Sequence, residues 1–261
     1  MEKKMNLSFI ASLIVGLGAL ILAFIVEGGT PSGLLQPTAA LIVFGGTLGA
    51  LGCSFPISNI KRLPKILGVL MSNQKQDKAA VLETFIELSN KIRKEGLLSL
   101  EVVLNAGDYD PFMVSGLQLV IDGIDGENIK KTMEIKLENI MERHEKGYSM
   151  FEAMGGYLPT MGVVGTVMGL INVMGSLSEA ADLGPKIGVA FIATLYGVGS
   201  ANLIFLPIAN SLKSIDAEEV ALKSMIIDGV LMIQEGANPT LIRERLKGYL
   251  EDEKESQEIR E

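Results

Sequence analysis

Four stretches of this chain run the length of a membrane-spanning helix without one charged side chain: residues 7–26, 34–57, 157–177 and 187–212. A helix needs about 20 apolar residues to cross roughly 30 Å of hydrocarbon, and helices satisfy their own backbone hydrogen bonds in lipid. The pattern therefore predicts two hairpins of membrane helices. The first stretch follows Lys3 and Lys4, as the apolar segment of a leader peptide does. It is longer than the roughly 7–15 residues of such a segment and ends in Ile25-Val26-Glu27, not in a small-residue cleavage site, so it reads as a retained span.

Basic residues set the orientation. The short connections at 27–33 and 178–186 hold one, Lys186, whereas the connection at 58–154 holds thirteen, beginning with Lys61, Arg62 and Lys65. The positive-inside rule puts the long connection and both termini in the cytoplasm. The expected division is an N-terminal membrane hairpin at 1–57, a cytoplasmic helical domain at 58–154, a second hairpin at 155–212 and a cytoplasmic helical tail at 213–261.

Residues 59–71 mix basic and apolar side chains around Pro64 and are expected to lie along the membrane surface. Residues 77–94 read as a helix with Val81, Leu82, Phe85, Leu88 and Ile92 on one side. Gly96 ends it, and a shorter helix starts at Leu97. Tyr109-Asp110-Pro111 reads as a turn. Residues 127–154 are helical, with Ile129, Met133, Leu137, Ile140 and Met141 at spacings of three and four. Only Gly155-Gly156 separates them from the third span, so one long helix can run through both. Asn238 and Pro239 open a last helix as cap and first residue, and the charged tail from Glu251 is expected to fray. No segment favours a strand, and the fold class is all-α.

Several functions are excluded. A net charge of −8 is opposite to the basic footprint of a nucleic-acid binder. The single cysteine, Cys53, leaves no internal disulfide and no two-cysteine metal motif. His144 stands among Glu142, Arg143, Glu145 and Lys146, a solvated pattern. Phosphate-loop, nucleophile-elbow and zinc-helix motifs are absent, and Gly197 and Gly199 lie inside an apolar helix, where they read as packing. No catalytic residue, metal ligand or bound cofactor is expected, and the chain does not read as an enzyme.

Ion routes through membrane helices usually contain Asp, Glu, His or Lys. The four spans contain none; their polar residues are Thr160, Thr166, Thr194, Ser200 and Asn202, with Gln36 and Asn210 near the ends. If this chain helps to move protons, the titrating group comes from another chain. Thr166 and Thr194 can bond back to their own helix or offer oxygen to a passing cation. Pro159 and Pro207 each remove a helix hydrogen bond, which leaves a point of bending and a free carbonyl.

Small residues recur at helical spacing: Gly165 and Gly169 in the third span, Ala193, Gly197 and Ala201 in the fourth, and Gly45, Gly49 and Cys53 in the second. Such stripes let helices approach closely. Three striped helices exceed what one four-helix bundle needs, and the expectation drawn is oligomerisation.

The arrangement resembles the MotA/PomA family, the A subunit of the bacterial flagellar motor stator, within the MotA/TolQ/ExbB superfamily. The likeness is carried by IVFGGTLGAL (42–51), RKEGLLSLE (93–101), LPTMGVVGTVMGL (158–170), ATLYGVGSANLIFLPIAN (193–210) and NPTLIRERL (238–246). It implies a multi-pass protein of the bacterial inner membrane that forms a ring, pentameric in this family, around a MotB-type B subunit. The B subunit supplies the missing membrane aspartate, H⁺ or Na⁺ passes, and the ring exerts torque on the rotor switch protein FliG, driving flagellar rotation.

Matched motif by motif, Pro159 and Pro207 take the role of coupling ion passage to movement, and Arg93 and Glu101 that of electrostatic contact with the rotor. The Gly165-Thr166 pair and the run from Ala193 to Tyr196 resemble the sodium-type pattern, while H⁺ stays open. ExbB/TolQ-like energisers of outer-membrane systems share the third and fourth helices but usually have three spans; they are the alternative.

Overall fold

The computed structural model describes residues 7–70, 77–107, 109–175 and 180–258. Every regular element among them is helical. Four of these helical segments are long and apolar enough to cross a membrane, as the charge-free runs predict: Phe9–Val26, Pro31–Ser54, Gly126–Met174 and Leu183–Gln234.

The helices follow in order: α1 Leu7–Val26, α2 Pro37–Ala40, α3 Gly46–Ser54, α4 Ile57–Ile60, α5 Leu63–Leu70, α6 Lys78–Glu95, α7 Ser99–Ala106, α8 Pro111–Ile121, α9 Gly126–Met174, α10 Ala180–Ser200, α11 Leu206–Gln234 and α12 Pro239–Glu258. Two π-helical turns join them, Leu41–Gly45 between α2 and α3 and Ala201–Phe205 between α10 and α11. The helical segment that carries the second charge-free run starts at Pro31 and ends at Ser54. The last residues of the third span and part of the loop after it, 176–179, lie outside the described residues. Neither Gly155-Gly156 nor Pro159 interrupts α9, and α12 stays helical to Glu258.

The chain forms two compact units. The first, residues 1–74 and 144–214, contains the spans. Its helix α1 has no buried residue in its span window and meets the fourth span at Ala201–Phe205, where Leu203 Cδ2 would lie 3.3 Å from a Cβ on Gly16. Residues 59–71 were expected to lie along the membrane surface, and Met71 lies outside the described residues. Here the apolar side of α5 is used by the protein itself: Ile66 lies over Gly147 of α9, and Leu70 is buried.

The second unit, residues 75–143 and 215–261, is a helical domain around Phe85, Leu100, Leu117, Met133, Met225, Ile226, Ile242 and Leu246. The two glycines at its centre are spatially required: a Cβ on Gly229 would sit 2.5 Å from the Phe85 ring, and one on Gly116 2.6 Å from Met133. Capping starts its helices as the sequence signals. Asp77 accepts from the Ala80 amide, and Asn238 from Leu241 at 2.8 Å.

The turn at Tyr109-Asp110-Pro111 is the start of a helix the sequence did not disclose. Asp110 caps α8 through the amides of Phe112 and Met113, with Pro111 in its first turn. The same carboxylate accepts from buried Lys223 at 2.7 Å, and Lys223 lies over the Phe112 ring.

Candidate functional site

The third and fourth spans contact each other through residues without bulk. Added Cβ atoms would lie 2.6 Å from Ala193 Cβ at Gly165, 2.6 Å from Ala190 Cβ at Gly169, and 3.0 Å from the Ala193 carbonyl at Gly162. At Gly197 one would meet the Leu158 carbonyl at 2.5 Å and Gly162 Cα at 3.0 Å. Backbone meets backbone there, as association in lipid by packing requires.

The stripes of the third and fourth spans pack against each other. Gly165, Gly169, Ala193 and Gly197 form contacts within one chain, and Ala201 is fully buried. The stripe with room on it is that of the second span. Gly49 has no neighbour within 4 Å of a built Cβ, Gly45 meets only Leu41 of its own turn of helix, and Cys53 is exposed.

The close approach brings Thr166 and Thr194 together. The Thr166 hydroxyl bonds to that of Thr194, and it lies 3.1 Å from the Gly162 carbonyl and 3.0 Å from the Ala190 carbonyl. Two hydroxyls and two carbonyls thus form an oxygen cluster with no net charge, half-buried between two apolar helices. Its two protons can serve only part of the acceptor capacity present. Such a group is suited to replacing water around a small cation. It cannot take up and hold a proton near neutral pH.

Pro159 lies within α9 and Pro207 at the start of α11, on the same pair of helices. Without an N–H at 159, the Gly155 carbonyl loses its usual i+4 donor. The Leu206 side chain lies against Gly155, directly before Pro207. Ahead of Pro207 the fourth span widens into the π-turn Ala201–Phe205, where the Leu206 amide bonds back to Ala201. A π-turn is one way a helix accommodates a residue that cannot donate, and such turns are frequent at functional sites.

Arg93 and Glu101 belong to the second unit. Arg93 is exposed in the last turn of α6 and Glu101 exposed in the first turn of α7. Gly96 makes the bend between them at φ 85°, and Ser99 returns its hydroxyl to the Gly96 carbonyl at 2.7 Å. Leu100 anchors the hairpin in the core. The two charges form no ion pair with each other among the described residues.

Three features were not found from sequence. Leu98 and Val102, 73% and 69% exposed, put apolar surface beside Glu101; their i, i+4 spacing was the available signal. The Tyr196 hydroxyl donates to the Leu34 carbonyl and accepts from the Gln36 amide, which ties the extended start of the second span to the fourth. The hydroxyls of Ser54 and Tyr157 meet at 2.7 Å.

Known proteins resemble this chain in sequence and fold. The model of the MotA/TolQ/ExbB proton channel family matches residues 106–225, and that of the motility protein A N-terminal region matches 10–96. Motility protein A of Borreliella burgdorferi is 38% identical over 97% of each chain. Chemotaxis protein PomA of Vibrio alginolyticus is 32% identical over 98% of this chain and all of that one. Among solved structures, C. jejuni MotAB superposes with a TM-score of 0.87 at 28% identity, covering 94% of this chain and 96% of that one. The flagellar MotAB stator complex of Bacillus subtilis superposes with a TM-score of 0.85 at 35% identity, covering 92% and 94%.

Proposed function

The chain belongs to the MotA/TolQ/ExbB proton channel family, and on that premise we propose that it is a flagellar stator subunit that turns ion flow into torque. The observation that carries the mechanism is a division of labour. Its spans hold an uncharged oxygen cluster but no carboxylate. The protonatable or ion-binding acid is therefore the aspartate of a MotB-type partner, around which this chain forms a ring, a pentamer as in its family.

The unoccupied stripe of Gly45 and Gly49 and an α1 with no buried residue in its span support the ring reading. Thirteen basic residues in the long connection support an inner-membrane placement with both termini in the cytoplasm.

Passage of the ion changes the charge at the B-subunit aspartate, and the helix pair responds where its prolines, Pro159 and Pro207, remove helix hydrogen bonds. The movement is delivered to FliG through Arg93 and Glu101, with lipid around the ring. No bound cofactor is needed. Of the two transported ions, Na⁺ is favoured by the cluster of Thr166, Thr194 and two carbonyls, since a partly dehydrated Na⁺ needs several oxygens.

The test is charge reversal, Arg93→Glu with Glu101→Lys. Rotation is expected to fail while the complex with the B partner still assembles. Normal swimming by that variant overturns the rotor role.

A further inference from the structure

Between Glu27 and Asp77 this acidic chain has no carboxylate, and the cations in that interval, Lys61, Arg62, Lys65 and Lys75, all follow the second span. The first three stand on or beside the short helices α4 and α5. The chain turns out of the span at Phe55 and Pro56, both with extended backbone, so these residues stay within a few positions of the hydrocarbon boundary.

Lys61, Arg62 and Lys65 are exposed, and none makes an ion pair among the described residues. The neighbouring lysine beyond the fourth span, Lys213, is by contrast bound to Glu152. The apolar side of α5 is already committed to the protein, through Ile66 over Gly147 and the buried Leu70. With 3.6 residues per turn, Lys65 then faces away from that contact. Ile57, next to the cations, is 67% exposed. The result is a helix packed on α9 that presents unpaired cations beside bare apolar surface, directly after the end of a span.

We infer that Lys61, Arg62 and Lys65 form a binding site for the headgroup of an anionic phospholipid, whose acyl chain covers Ile57. The charge complementarity and the position at the end of a span favour a lipid over a soluble anion: basic clusters directly beside a span attract anionic headgroups. The inference rests on reading the chain as membrane-spanning and not on its flagellar role, so its failure leaves that role standing.

The test uses the full chain with its B partner, stripped of lipid in detergent and titrated with phosphatidylglycerol or phosphatidylcholine while bound lipids are counted by native mass spectrometry. Phosphatidylglycerol is expected to bind more tightly, and Lys61→Gln with Arg62→Gln and Lys65→Gln to weaken it roughly a hundredfold, as follows from about 1 kcal/mol for each of the three basic residues. Phosphatidylcholine binding should not change. The same spectra report whether the complex is intact, and Lys61→Arg with Lys65→Arg should keep the preference. Displacement of the lipid by 10 mM inorganic phosphate at about equal affinity identifies a soluble-anion site and overturns the proposal. So does an equal loss in Lys130→Gln with Lys131→Gln and Lys136→Gln, which removes the same charge elsewhere.

Discussion

The side chain of Leu206 rests on the backbone of Gly155 so closely that a Cβ at 155 would lie 2.7 Å from its Cγ. Gly155 is the residue whose carbonyl Pro159 leaves without a donor, and Leu206 directly precedes Pro207. The two weak points of the helix pair therefore touch, and a bend in one displaces the other. Gly155→Val should push Leu206 aside at an overpacking cost of about 1–3 kcal/mol. Torque is expected to fall while assembly with the B subunit persists, and Leu206→Ala in the same chain should restore part of it. Swimming speed with complex yield from the same cells measures both; a normally swimming Gly155→Val strain would show that the contact does not transmit motion.

The two kinds of small-residue stripe should respond differently to bulk. At Gly197 a side chain would meet the Leu158 carbonyl, which is backbone and cannot rotate away. Gly197→Val should lower the thermal midpoint of the purified chain and its yield. Gly49→Val has open space within the chain, so it should leave the midpoint unchanged and weaken ring assembly. Size on native mass spectrometry separates the two. An intact ring in Gly49→Val would remove that stripe from the subunit interface.

Thr166 and Thr194 share one hydrogen-bonded cluster, so either hydroxyl should matter to a sodium ion. Thr166→Ala is expected to raise the external sodium needed for half-maximal motor speed several-fold, whereas Thr166→Ser should change it little. Motor speed against sodium at fixed pH gives the answer. A speed indifferent to sodium and abolished by a protonophore would make the transported ion H⁺ and the threonines packing residues.

In the second unit, Tyr249 donates to Asp228 at 2.9 Å. Burial, followed by that bond and the aspartate's charge, pushes the phenol up to about 12. The neutral phenol is the form the fold favours. Its contribution is complete below the unfolded value near 10 and lost as pH rises through about 12. Tyr249→Phe should cost about 1 kcal/mol at neutral pH and reduce the loss of stability between pH 10 and 12. Denaturant midpoints across that range test it, and parallel curves for both proteins would contradict it.

Local chemistry was legible in the sequence where one residue decides the outcome. The N-cap at Asn238, the charge-free spans and the uninterrupted α9 all follow from propensity and hydropathy. Helix α8 was hidden because Asp-Pro marks a turn and a helix start equally well, and the apolar run after it has no clear period. For the site, each hydroxyl could be seen but their meeting could not. The pairing of Thr166 with Thr194 depends on the register of two antiparallel helices, which Gly162, Gly165 and Gly197 set by contact. The stripes likewise showed that helices approach closely without showing which ones. Leu98 and Val102 escaped notice because apolar residues near a turn read as core, and their exposure depends on Leu100 taking the buried side.

The central claim is tested most directly by the rotation of single tethered motors in cells whose own copy of this gene is deleted and then re-expressed under control. Deletion should stop rotation, and induction of this chain with its native B partner should restore it in discrete speed increments as stator units join. Rotation that continues at full torque without the chain would contradict the account.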